Sequence, residues 1–349
     1  MVSVVSAFAD NDYTAAGVDI TNKGTLSFKV NGTDQDTIDS NEDTFKVDRK
    51  LDVFVLHKEN DYIPVTPGSS EQNLTFTVRN DGNGNQDFKL TQVNNKGNPF
   101  EANHVDDSDV TFVKFCYDST NDGKHDTCSA DNAADYTLSD LAPDANLSVV
   151  LVYNIPSTLT NGNTADYALK AQIMIVGGAA ETNTSGADRQ TEEDNVLADV
   201  AGVDDGSQDG YHSDYHAFKV VSAVLNFRKW SIVTYDPINK DVDPKRIPGA
   251  TIYYCFEVNN TGDANATDVY WTDDWTNNDG KLAFPDDSAD DAVQDPVDIT
   301  TGCNEDCSNI TVDYGGSHSG KVIRLPSGSN TVRVDTNKSV CGSIKTTVL

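Results

Sequence analysis

Positive charge is scarce in this sequence. Its 349 residues carry 25 Lys and Arg against 56 Asp and Glu, a formal net charge of −31. A surface of that sign repels phosphate and cannot gain the counterion-release free energy that drives nucleic-acid association, so no nucleic-acid partner is expected. Long apolar runs are also missing. None approaches the roughly 20 residues that a membrane-spanning helix needs, and no transmembrane segment is expected. Helical patterning is nearly absent; the best exception, Glu192 to Val203, is short, acidic and interrupted by Gly202. Signatures of covalent catalysis are lacking as well. No Ser sits in a G-x-S-x-G elbow and none of the six His has an evident Ser or Cys partner, so the expectation is a protein that is not an enzyme.

What the sequence does have is short alternating runs between turn residues. Gly24-Thr-Leu-Ser-Phe-Lys-Val30, Asn73 to Val78, Ser148 to Tyr153 and Ser222 to Phe227 alternate as strands with one wet face. Further strands are expected at 51–56, 110–117, 167–176, 230–235, 251–258, 266–272, 320–324 and 330–334, separated by Asn-Gly, Asn-Asp-Gly and Pro-Gly turns. Many short antiparallel strands predict an all-β chain of sandwiches, and the length suits two domains. We expect an arm at 1–14, a first sandwich at 15–227 with a long acidic loop near 177–215, and a second at 228–349. Phe218 to Phe227 reads as the strand that returns the chain to the first sheet. Val2, Val4 and Phe8 alternate with Val5, Ala7 and Ala9, which suits an ordered arm laid into a sheet as a donor strand. Ala7-Phe8-Ala9 equally fits the small-x-small end of a signal peptide, although the segment is too short for one and has no basic start.

Two regions carry a family resemblance. Asp236-Pro-Ile-Asn, then Asp243-Pro-Lys-Arg-Ile-Pro-Gly-Ala-Thr-Ile-Tyr-Tyr-Cys-Phe-Glu-Val-Asn-Asn-Thr-Gly262, then Ala264-Asn-Ala-Thr-Asp-Val-Tyr-Trp-Thr-Asp273 resembles the conserved-repeat domain of unknown function numbered eleven, found in prokaryotic secreted and surface proteins. Upstream, Asp19 to Phe28 with Asp48 to Val55, Thr66-Pro-Gly through Phe88, and Tyr117 to Gly123 with Leu141 to Ala145 resemble the region that often precedes such repeats. The resemblance implies immunoglobulin-like sandwiches and an exported location, and it implies no activity.

The six Cys lie in polar, turn-rich sequence and form neither a C-x-x-C pair nor a zinc spacing with His, so they read as extracellular disulfides. Proximity along the chain favours Cys116 with Cys128 and Cys303 with Cys307, leaving Cys255 with Cys341. In Asp118-Ser-Thr-Asn-Asp-Gly-Lys-His-Asp126, oxygens at Asp118, Thr120, Asp122 and Asp126 surround a turn glycine, a pattern that would suit calcium or simply a hydrated hairpin tip. His212-Ser-Asp-Tyr-His216 puts two imidazoles and a carboxylate on one face of a strand, one ligand short of a structural zinc site. Trp271 and Trp275 could stack on sugar or pack in a core. N-x-S/T sequons at Asn31, Asn183, Asn259, Asn265, Asn309 and Asn337 are glycosylation candidates, and those at Asn73 and Asn146 abut strands. The expected function is a non-enzymatic structural subunit of an extracellular filament or surface array. It would assemble head to tail with itself by strand exchange through Val2, Val4, Val5 and Phe8, with calcium as the one cofactor to consider. A cell-surface adhesin or carbohydrate-binding module is the alternative.

Overall fold

The structure is a computed structural model. It describes residues 14–94, 100, 108–120, 122–278, 280–283, 293–299, 303–305, 317–319, 322–326 and 329–349, with the backbone alone for 293–299 and 317–319. The arm residues Val2, Val4, Val5 and Phe8, together with Cys307 and Asn309, lie outside the described residues. The chain divides into two units between Lys219 and Val220, and 160–162 belong with the second.

The first unit contains β1 (Asp19–Leu26), β2 (Lys29–Val30), β3 (Thr33–Asp34), β4 (Ile38–Lys46), β5 (Arg49–Leu51), β6 (Val53–His57), β7 (Ile63–Val65), β8 (Gln72–Asn80), β9 (Gln86–Asn94), β10 (Thr111–Tyr117), β11 (Thr127–Cys128), β12 (Tyr136–Leu141), β13 (Asn146–Asn154), β14 (Thr164–Met174), β15 (Asn195–Leu197) and β16 (Tyr211–Val220). Two five-stranded sheets, in the orders β11-β10-β13-β8-β6 and β12-β9-β14-β16-β7, form a sandwich. Alternation explains its core. Leu74, Phe76 and Val78 of β8 face inward beside Leu151 and Tyr153 of β13, and they meet Phe88, Leu90, Leu169 and Phe218 of the other sheet.

The second unit contains β17 (Leu225–Tyr235), β18 (Thr251–Asn260), β19 (Ala266–Val269), β20 (Trp271–Asp274), β21 (Val293–Ile299), β22 (Ser317–Ser319), β23 (Val322–Leu325), β24 (Val332–Val334) and β25 (Lys338–Thr347). One sheet runs β17-β18-β25-β21; opposite it lie β19-β24 and β20-β23-β22. Phe256, Val258, Trp271, Trp275, Ile323, Leu325 and Ile344 pack between them. The all-β sandwich architecture expected from the alternation is what the chain adopts, and no α-helix occurs among the described residues.

One scaffold is used twice. Pro67-Gly68 leads into β8 and Pro248-Gly249 into β18, with both glycines at positive φ. Each strand then ends on a buried asparagine, Asn80 or Asn260, exposed by 1% and 0%. Asn80 donates to the carbonyls of Gly84 (2.9 Å) and Leu141 (2.8 Å) and accepts the Gly82 N–H at 3.0 Å. Asn260 donates to Ala264 (2.8 Å) and Val334 (3.0 Å) and accepts from Gly262 at 3.1 Å. Because the position needs two donors and an acceptor on one short side chain, a carboxylate cannot replace the amide. The carbonyls reached, Leu141 and Val334, end β12 and β24, so each asparagine clips its turn to the opposite sheet. Asp144 and Asn337, both at φ 58°, complete the match by donating their N–H groups to the Asn80 and Asn260 carbonyls.

Three expectations need correction. The expected return strand 218–227 is two strands: β16 ends at Val220, and β17 begins at Leu225 opposite Asn260 of the second unit. The acidic segment 177–215 belongs to the first unit and is mostly loop, as expected, but β15 within it pairs in parallel with β5 and it ends early, because β16 begins at Tyr211. Within it the buried Asp199 accepts the N–H groups of Asp209 and Gly210. The third correction concerns cysteines. Cys116 pairs with Cys128 as expected, directly opposite on β10 and β11 with Cα atoms 4.1 Å apart. Cys303, however, bonds Cys341 rather than Cys307, and Cys255 is disulfide-bonded but not to Cys341. Register supplies the reason. Cys255 lies opposite Ser343 and Cys341 opposite Glu257, so the two are diagonal neighbours on one face, farther apart than the roughly 4 Å between Cβ atoms that a disulfide spans. Cys341 instead bonds up to the segment lying over that face, where Cys303 packs with Trp230 and Ile232.

Candidate functional site

The feature without a structural explanation inside either unit is the ribbon of β1 and β4. Ile20 stands opposite Phe45 and Leu26 opposite Ile38, which makes two apolar rungs on one face. In a sandwich such rungs would face a second sheet. Here every residue of β1 is exposed, as are those of β4 up to Phe45, and Leu26 and Ile38 expose 59% and 54% of their surface. Phe28 and Val30, next to the tip, are exposed too. The ribbon is held by its own ladder, by the Thr21–Thr44 hydroxyl contact at 2.9 Å and by the Lys46–Asp19 and Lys23–Asp39 ion pairs. A two-stranded ribbon with both faces exposed is marginal in water, and packing within the described residues does not account for this one. At its base the β4 side is already occupied, because Lys46 N–H donates to the Gln190 carbonyl and Gln190 reaches Asp43. The outer edge of β1 pairs with no other strand among the described residues.

A second open edge belongs to the second unit. β17 pairs only with β18 among the described residues. Phe227 stacks against Phe256 and Trp271, with centroids 6.2 and 5.9 Å away, yet exposes 56% of its surface. The core is therefore open along this strand. Lys229, on the same face, lies over the Tyr254 and Phe256 rings and bonds Asp273 of β20 at 2.6 Å. That ion pair spans the mouth between the two sheets, and an inward-pointing charge of this kind keeps an edge from pairing indiscriminately. Beyond β17, Asp236 accepts N–H groups from Ile238, Asn239 and Lys245. Burial works to raise its carboxyl, but those donors outweigh it and hold the group below the usual carboxylate range.

The H-x-D-x-H motif has a different use from metal binding. As alternation predicted, His212, Asp214 and His216 share one face of β16, and that face looks at β6, the last strand of the opposite sheet. His212 Nδ1 accepts the Val55 N–H at 3.1 Å, Asp214 accepts the His57 N–H at 2.7 Å, and His216 Nε2 meets Glu59 at 2.8 Å. His212 and Asp214 thus satisfy two alternate N–H groups of an edge strand that has no further neighbour among the described residues, and His216 meets a carboxylate just past its end, which is why polar groups occupy a core-facing row. His57 Nδ1 also bonds Asp214 at 2.6 Å. Burial pushes the His216 imidazole below its ordinary value, and only partly does the Glu59 carboxylate oppose this.

At the acidic turn, Asp118 is buried and its carboxylate accepts the N–H groups of Thr120 (3.2 Å), Asp122 (3.2 Å) and Gly123 (2.7 Å). The structure thus gives Asp118 a turn-building role; Thr120 and Asp122 contribute backbone to it, and Asp126 is no part of that network. Calcium here is a proposal with a direct test. Asp118→Asn should destabilise the first unit by about 2 kcal/mol through weakened bonds to a charged acceptor, equally in calcium and in chelator. A loss confined to calcium buffer in thermal melts would place an ion at the turn. The acidic group that does converge, Asp48, Asp188 and Asp194, was not legible in sequence. Arg189 occupies it, bonding Asp194 at 2.6 Å and holding that carboxyl low.

Trp271 and Trp275 are core residues, exposed by 6% and 2%; their rings are not a sugar platform. Asn31, Asn183, Asn265 and Asn337 are exposed, whereas Asn259 is half-buried within β18. Asn73 and Asn146, at strand ends, are exposed.

No family model matches the chain, and no curated relative matches it. Among solved structures, the chaperone–tip adhesion subunit pre-assembly complex CsuC–CsuE, from archaic chaperone-usher Csu pili of Acinetobacter baumannii, aligns over 83% of this chain and 91% of that one. The alignment has 8% identity and a TM-score of 0.22. A Corynebacterium diphtheriae protein described as membrane anchored aligns over 95% of this chain and 89% of that one, at 8% identity and a TM-score of 0.17. Superpositions at these scores carry no argument, and the functional reading rests on the residues above.

Proposed function

We propose that this protein is a non-enzymatic structural subunit of an extracellular filament or surface array, joined to copies of itself by β-strand exchange. The observation that carries this reading is the bare ribbon of β1 and β4, whose apolar rungs find no partner within the described chain. Disulfides support the extracellular setting, since all the described cysteines are bonded and such bonds persist where thiols are not kept reduced. A net charge of −31 keeps both monomers and assemblies in solution. The adhesin alternative loses its main surface, because the two tryptophans proposed for a ligand face are buried.

In this reading the apolar residues Val2, Val4, Val5 and Phe8 enter a neighbouring copy. Their burial would contribute several kcal/mol at about 25 cal/mol per Å². Deleting residues 1–9 should leave both units folded by calorimetry and abolish assembly in sedimentation and electron microscopy, while the added peptide binds the truncated monomer without restoring polymers. A full-length chain that stays monomeric, and whose stability falls on deletion, would show that the arm folds back on its own chain and would sink the reading.

A further inference from the structure

We propose that the ribbon of one copy docks with its β1 edge along the β17 edge of a second copy, adding two strands to the second unit's sheet. The inference rests on the self-assembly reading and names the surfaces that meet.

Four observations single out this pairing. Both edges are unpaired among the described residues, and β1 and β17 are 8 and 11 residues long, so one can lie along the other over most of its length. On β17 the unobstructed half is the N-terminal one, because farther along the Ser231 carbonyl already accepts the Arg246 guanidinium. That half carries Leu225 and Phe227, exposed on the core-facing side. The ribbon brings its own apolar face, the Ile20–Phe45 and Leu26–Ile38 rungs, which would continue the row begun by Leu225 and Phe227 and cover the open core.

Charge favours the same choice. In a chain of net −31, residues 225–249 hold five Lys and Arg against three Asp, whereas the ribbon 19–46 holds six acidic residues against three Lys. Arg228 and Lys229 already hold Glu257, Glu305 and Asp273, so the attraction for the acidic ribbon comes from Lys240, Lys245 and Arg246 just beyond β17. The Lys229–Asp273 pair fixes the mode of docking. It closes the gap between the sheets, so the incoming ribbon extends the sheet edge by β-augmentation and does not insert into the core. Because ribbon and edge are different surfaces, the contact is heterologous and repeats from copy to copy.

The test uses the full-length protein. Sedimentation first asks whether it associates: a chain that is monomeric at every concentration overturns the assembly reading, and this inference with it. Where polymers form, a photo-crosslinking residue at Thr21, in a mixture of isotopically light and heavy copies, should give inter-copy crosslinks to 225–230. Crosslinks elsewhere, or only within one copy, overturn the inference and leave the assembly reading standing. Two variants give an independent readout. Asp19 and Lys46 are cross-strand partners, so residues 20–45 can be replaced by an Asn-Gly turn without stretching the chain. That excision, and separately Leu225→Glu with Asn226→Asp, should each raise the concentration needed for assembly at least about tenfold, the equivalent of 1.4 kcal/mol, with unchanged melting of both units. An unchanged threshold in either folded variant overturns the docking. Association of the Leu225→Glu, Asn226→Asp variant at the original threshold would show ribbons pairing with ribbons instead.

Discussion

Gly262→Ala should unfold the second unit at moderate temperature while the first melts normally. The added methyl would stand 2.1 Å from the Ser222 carbonyl oxygen and 2.5 Å from the Val224 nitrogen, both backbone atoms of the segment entering β17. That segment cannot step aside cheaply. Val224 N–H donates to the Asn260 side chain and its carbonyl accepts the Thr261 N–H, so moving it breaks the clip that ties the β18 turn to the opposite sheet. A loss of about 3 kcal/mol is expected, the top of the usual range for overpacking and a large share of a domain's stability. Calorimetry should show one of two transitions shifted down by about 10 °C or more. Gly82→Ala repeats the experiment in the first unit, where the methyl would meet the Lys50 carbonyl at 2.4 Å. Two unshifted transitions in either variant would mean that the strand behind the turn yields.

Removing the Cys303–Cys341 bridge by replacing both residues with Ala should cost the second unit about 4 kcal/mol. The estimate follows from loop closure in the unfolded chain for a separation of 38 residues. Both cysteines are buried against Trp230 and Ile232, so alanine leaves a small cavity that adds to the loss. The same replacement at Cys116 and Cys128, separated by 12 residues and joining β10 to the two-residue edge strand β11, should cost closer to 3 kcal/mol, and only in the first unit. Denaturant titration of each unit's transition measures both. Equal losses from the two pairs would mean that the longer loop is already restrained before folding.

Much of the sandwich was legible because a half-buried strand writes its burial into alternate residues, as Leu74, Phe76 and Val78 do. The two Asn-x-Gly turns were visible as turns. Their clips were not, because a partner such as the Val334 carbonyl is 74 residues away in sequence. Proximity along the chain found Cys116 with Cys128 but not the partner of Cys303, for the same reason: that pairing follows strand register 38 residues away. For H-x-D-x-H, alternation gave the shared face correctly, but nothing local shows that the facing strand is an edge in need of acceptors. The ribbon is the opposite case. Gly24 to Val30 alternates like one strand with a buried side, yet β1 ends at Leu26 and β2 takes up only Lys29 and Val30, and nothing in its sequence reveals that no second sheet covers it among the described residues.

The order of strands in the second unit also decides how it bears load. Its first strand, β17, and its last long one, β25, both run antiparallel to β18 between them, so they run parallel to each other. Pulling on the start of one and the end of the other therefore acts along the strands in shear. Ten cross-strand pairs on each side of β18 resist together, where a peeling geometry would break them one at a time. A unit wired in this way resists tension along its strands without extending.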